Sequence, residues 1–94
     1  TLAIDLKVSD HFYITMTAST TFSLSNISSK IGCSGVIVIK QNGTGGYSFT
    51  KATEMKTPLG QSISQVTTAN SVSALFYFVA DSTTLLINYI GDFK

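Results

Sequence analysis

One histidine, one cysteine, one glutamate and four aspartates make up the usual acid–base, nucleophilic and metal-ligating material of this chain. His11 follows Asp10, and Asp5 stands one strand-length earlier. Proton transfer or metal binding by that imidazole needs a nucleophile or further ligands beside it. No serine sits in a nucleophile-elbow pattern, so His11 reads as a polar residue at the start of a strand. Cys33 lies in Ile31-Gly32-Cys33-Ser34-Gly35, with no base in view to take its proton. It reads as a small hydrophobe or a surface thiol. As the lone cysteine it excludes an intrachain disulfide framework and a cysteine-rich zinc site. Asp5, Asp10, Asp81 and Asp92 lack the spacing of a calcium loop. A single glutamate with four aspartates offers little to paired-carboxylate glycosidic cleavage. Gln41-Asn42-Gly43-Thr44-Gly45-Gly46 lacks the Lys-Ser/Thr ending of a phosphate loop and stands between strands. The expectation is a non-enzymatic module with no catalytic residues, no metal and no cofactor.

Composition narrows the partners. Charged residues are 12% of the 94 positions, the net charge is +1, and there is no arginine. Nucleic-acid binding normally needs a basic face, and arginine is its best reader of phosphate and guanine. No nucleic-acid partner is expected. No apolar run approaches the length of a membrane-spanning helix, so no membrane insertion is expected. Residues 1–10 (TLAIDLKVSD) lack the basic start and apolar stretch of a secretory signal. The length suits one domain over residues 1–94.

The elements that would position any site are strands. Leu2, Ile4, Leu6 and Val8 alternate with polar or small residues, as do Phe12, Ile14 and Met16, then Phe22 and Leu24. Residues 25–35 (SNISSKIGCSG) read as a loop with room for one helical turn. Val36-Ile37-Val38-Ile39 is apolar on both faces. Asn42 and Gly43 then predict a tight hairpin turn, lengthened by Gly45 and Gly46, that returns the chain at Tyr47 and Phe49. Residues 51–60 form a connection containing Pro58. An irregular polar strand is expected around Ile63 and Val66. Residues 72–80 (VSALFYFVA) and 83–90 (TTLLINYI) are two more strands, with a turn at Asp81-Ser82. About seven or eight strands with short connections predict an all-β fold, a compact β-sandwich that is jelly-roll-like.

Three strands, near Val36, Leu75 and Leu85, carry apolar groups on both faces. One face enters the core. The other must be covered, and with so little charge to resist association a subunit interface is the better cover. Phe12, Phe22, Phe76 and Phe78 are assigned to the core, which leaves Tyr77, Val79, Leu86 and Ile90 for a seam between subunits. Tyr13, Tyr47, Tyr77 and Tyr89 divide between core, interface and ligand contact.

The ordered residues Ile4-Asp5-Leu6, Phe12–Thr17, Thr21-Phe22-Ser23-Leu24-Ser25-Asn26, the Gln41–Gly46 turn and the closing Ile90-Gly91-Asp92-Phe93 carry a resemblance that covers nearly the whole chain. It resembles a small all-β module of tailed-bacteriophage virion proteins, of the kind that ends tail fibres or decorates capsids. Members often carry a tryptophan after the glycine turn. This chain has none, and Phe49 or Met55 would take that volume. The resemblance implies a structural or attachment part on the particle surface, without enzyme activity, assembling as a homotrimer. Its implied contacts are other virion proteins of the capsid or tail, and a host surface glycan. The alternative is an extracellular carbohydrate-binding β-sandwich, recognisable by an exposed Tyr or Phe ringed by Asn, Asp or Gln.

Overall fold

The period-two alternation of the sequence becomes eight strands. The computed structural model describes residues 1–93. Its strands are β1 (Leu2–Asp5), β2 (His11–Met16), β3 (Thr20–Ser25), β4 (Ser34–Gln41), β5 (Phe49–Thr50), β6 (Met55–Lys56), β7 (Val72–Asp81) and β8 (Thr84–Ile90). Short 3-10 turns occupy Ile27–Lys30 and Pro58–Gly60. Pro58 sits at the start of its turn, where a missing N–H costs nothing. The expected all-β sandwich is present, as a three-stranded sheet in the order β1-β3-β5 and a five-stranded sheet in the order β2-β4-β7-β8-β6.

Consecutive strands β1 to β6 alternate between the two sheets. The jelly-roll expectation is corrected, because a jelly roll pairs its strands antiparallel and most pairs here are parallel. β1 runs parallel to β3, β2 to β4, and β3 to β5. Parallel neighbours need a crossover of about a dozen residues or more. Here each crossover is the intervening strand on the opposite sheet. β7 and β8 then complete the larger sheet as an antiparallel hairpin, with β7 also antiparallel to β4. The Asp81-Ser82 turn forms as the sequence predicts: Asp81 Oδ1 accepts the Thr83 N–H at 2.9 Å and its hydroxyl at 3.1 Å.

The core lies between the sheets. Ile4, Leu6 and Phe22 meet Met16, Ile37, Ile39, Leu75, Val79, Leu85 and Ile87 there. Phe22 stacks on Phe49 with ring centres 4.8 Å apart, and Phe49 meets Tyr89 at 5.9 Å, so an aromatic chain ties the small sheet to β8.

Three further expectations are corrected here. First, Asn42 and Gly43 do not turn a hairpin. β4 pairs with β2 and β7, and Phe49–Thr50 pairs with β3, so residues 42–48 cross from one sheet to the other. Asn42 uses its side chain instead: Oδ1 accepts the N–H groups of Thr44 and Gly45. The left-handed glycines are Gly45 and Gly46, not Gly43. Gly45 is required there, because a Cβ would stand 2.5 Å from the Ala69 nitrogen.

Second, no strand forms around Ile63 and Val66. That segment packs through side chains: Gln65 accepts the Phe49 N–H at 2.9 Å and donates to the Phe49 carbonyl at 2.6 Å. Third, β7 presents the opposite face from the one assigned. Tyr77 and Val79 are 4% and 0% exposed and belong to the core, whereas Phe76 and Phe78 are each 44% exposed. Both faces of this strand are apolar, so hydrophobicity alone did not choose between them. Space and hydrogen bonding did. The Tyr77 hydroxyl donates to the Asp10 carbonyl at 3.1 Å, and Gly35, its neighbour across the sheet, leaves room for the ring.

Candidate interaction surface

The residues with reactive side chains stay apart. His11 is exposed at the start of β2, where its backbone N–H donates to Ser9 Oγ and its carbonyl accepts from the same hydroxyl. The Asp10 carboxylate pairs with Lys30 Nζ at 3.2 Å. Cys33 is exposed and unbridged. Asp5 and Asp81 serve local turns. The Asn26 amide donates to Asp5 at 2.6 Å and, with the Lys7 N–H, holds that carboxyl below its ordinary pKa. Bonds from the Thr83 N–H and hydroxyl do the same for Asp81. Among the described residues no three His, Cys, Asp or Glu side chains gather as a metal-holding group. Three surface grooves hold about 270–300 Å³ each. One lies between the Pro58–Gly60 turn and β8, one between the amino terminus and the end of β2, and one beside Phe22 and Ala52. Only the last includes opposite side-chain charges, Lys51 and Glu54. Lys51 Nζ is turned to the Met55 carbonyl at 3.0 Å.

The two outer faces of the sandwich differ sharply. On the small sheet, Thr21, Ser23, Ser25 and Thr50 point outward and are exposed. That is a hydroxyl surface suited to water. On the large sheet the outward positions run in cross-strand rows. Tyr13, Val38, Ala74 and Ile90 form one row. His11, Val36, Phe76 and Asn88 form the next. Ser34, Phe78, Leu86 and Lys56 form a third. Leu86 and Ile90 are 50% and 45% exposed, and Tyr13 is 64% exposed. No carboxylate stands in these rows. Scattered exposed apolar residues are ordinary, but a contiguous apolar face marks a contact surface.

The residues assigned to the seam therefore separate. Leu86 and Ile90 lie open on the outer face, while Tyr77 and Val79 are inside the chain's own core. Burial raises the Tyr77 phenol above its ordinary pKa, with smaller contributions from Asp10 and Cys33. Phe76, Phe78 and Tyr13 complete the open face. For Phe76 and Phe78 the signal lies in the two-faced pattern of residues 72–80, which does not by itself say which face turns inward. Asn42, Gly43, Gly45 and Gly46 lie in the sheet-to-sheet crossing and take no part in this surface.

The chain matches no protein-family model, no curated protein and no solved structure with which it was compared.

Proposed function

We propose that this chain is a non-enzymatic structural module of a bacteriophage particle, a tail-fibre or capsid-surface part that works as a homotrimer. The observation that carries the reading is the apolar outer face of the five-stranded sheet, set against the hydroxyl-covered face opposite. A face of that kind supports a role in which copies or neighbouring virion proteins cover it. The scattered placement of His11, Cys33 and the acidic residues is in keeping with a structural part. The sequence resemblance supplies the virion setting and the number three. The carbohydrate-binding alternative asks for an aromatic ring framed by Asn, Asp or Gln. Across the strands Phe78 stands between Ser34 and Leu86, and Tyr13 faces Val38, which supports a protein seam instead. Only Phe76 has an amide opposite, Asn88.

Immunogold labelling tests the assignment. Antibodies raised against the folded chain would be applied to purified phage particles from a lysate containing it. Gold at the particle surface, on capsid or tail, is the expected result. Particles that stay unlabelled while the protein remains in the particle-free fraction would overturn it.

A further inference from the structure

We infer that the seam between copies is the outer face of the β2-β4-β7-β8-β6 sheet, with Phe76 and Phe78 packed around a threefold axis; the number three rests on the proposed function, and the choice of face on the geometry.

The area fits a second copy. The open portions of Tyr13, Phe76, Phe78, Leu86 and Ile90 leave on the order of 500 Å² of largely apolar surface, taking ~200 Å² for each whole side chain. A standard protein–protein interface takes about 800 Å² from each partner, of which about 56–65% is apolar. The patch therefore supplies the apolar share of one such interface. Its polar remainder is at hand in Asn88, Thr84 and Ser34. The charges on this face are also informative. Lys40 and Lys56 stand at its margin and Asp81, opposite Thr84, stands at its end, so the charges are few and peripheral, and an uncharged centre meets its own like without penalty.

The face is built around β7. Each cross-strand row spans four strands, β2-β4-β7-β8 or β4-β7-β8-β6, and β7, which carries Phe76 and Phe78, lies inside all of them. Shorter Val36 and Val38 on one flank and Leu86 and Asn88 on the other leave the two phenylalanines as the tallest groups, the first that a facing copy meets. A closed ring of three copies brings them together at its axis.

Two variant series read the proposal. Native mass spectrometry is run at micromolar protein on the wild type, on Phe76→Glu and Phe78→Glu, and on Ser23→Glu, which puts the same charge on the small sheet. The expected result is a trimer for wild type and Ser23→Glu, and a monomer of unchanged circular dichroism for the two phenylalanine variants. A wild-type trimer that survives Phe76→Glu and Phe78→Glu would overturn the face and leave the trimer reading standing. A wild-type monomer would overturn both, and a wild-type dimer that Phe76→Glu and Phe78→Glu break would overturn the number three while keeping the face. Should the charged variants unfold, Phe78→Cys and Ser23→Cys in a Cys33→Ser background, oxidised with diamide, decide the matter. Rapid cross-linking of the first and not the second is expected, and the reverse contradicts the seam.

Discussion

Gln41 holds Tyr47 by both of its backbone groups: Nε2 donates to the Tyr47 carbonyl at 2.7 Å, and Oε1 accepts the Tyr47 N–H at 3.2 Å. Gln65 repeats the arrangement on Phe49, two residues on. Between them, the Ser48 N–H donates to Ser19 Oγ and its carbonyl accepts from Thr20. Three side chains and one β3 backbone N–H thus serve residues 47–49, and the segment crosses between sheets without losing its backbone hydrogen bonds. Phe49 is thereby held in its stack on Phe22.

Removing one clamp should be costly. In Gln41→Leu, two backbone groups of Tyr47 lose their partner, and stability is expected to fall by about 2–4 kcal/mol in urea unfolding. Gln41→Glu keeps an acceptor for the N–H but sets a carboxylate against a carbonyl. Its loss should be similar at neutral pH and smaller once the carboxyl is protonated and able to donate. Equal stability of Gln41→Leu and wild type would contradict the clamp.

Gly35 is needed for space rather than for its backbone angles. A Cβ there would lie 1.8 Å from the Asp10 carbonyl oxygen and 2.6 Å from the Tyr77 hydroxyl. Gly35→Ala is expected to destabilise by about 2 kcal/mol or more, in the range of overpacking and backbone displacement. Adding Tyr77→Phe should not restore it, because the closer obstacle is backbone. Thermal unfolding of the single and double variants checks both statements.

The general architecture was legible where alternation had one apolar face. His11–Met16 and Thr20–Ser25 follow their patterns into the core, and the alternation from Leu2 does so as far as Leu6; β1 ends at Asp5, the chain turns, and Val8 is left 77% exposed. It was not legible where both faces are apolar, as in β7, because the choice there turned on a long-range hydrogen bond from Tyr77 to Asp10 and on a glycine across the sheet. The Asn42-Gly43 signal was local and lost to non-local pairing: β4 finds β2 and β7 as neighbours, so the chain leaves its sheet rather than doubling back. Nor does the spacing of Gln41 and Gln65 announce that two amides will replace a strand. On the open face, Asn88 between Leu86 and Ile90 marks their side of β8 as outward, whereas no polar residue marks the side of β7 that carries Phe76 and Phe78.

Acid should weaken the fold through Asp5 and Asp81. Both carboxyls are held below the ordinary carboxylate value by hydrogen bonds, chiefly from Asn26 for Asp5 and Thr83 for Asp81. A group lowered in the folded state favours folding above its unfolded pKa, about 4. That contribution is lost as pH falls through the lowered folded values. Asn26→Gly keeps the left-handed backbone at this position while removing the amide. Its unfolding midpoint should depend less on pH than that of wild type between about pH 5 and pH 2. Identical slopes would contradict the linkage.

Alkali acts through Tyr77, in the opposite sense. Its phenol is raised by burial first, then by Asp10 and Cys33. The protonated form therefore favours folding below the ordinary phenol pKa of about 10, and the contribution is lost as pH rises through the raised value. Tyr77→Phe should lose about 1 kcal/mol at neutral pH with the bond to Asp10, and should show a weaker alkaline decline than wild type. Urea unfolding at neutral and alkaline pH, with phenolate absorbance followed alongside, measures both effects.

The central claim is that an apolar sheet face is covered by further copies of the chain. Sedimentation equilibrium of the unmodified protein across the micromolar range tests it most directly. The expected result is one species of three times the 10.0 kDa chain mass, stable on dilution and in moderate salt, since the contact is apolar. A species of one chain mass throughout, with Phe76 and Phe78 left in water, would contradict the account.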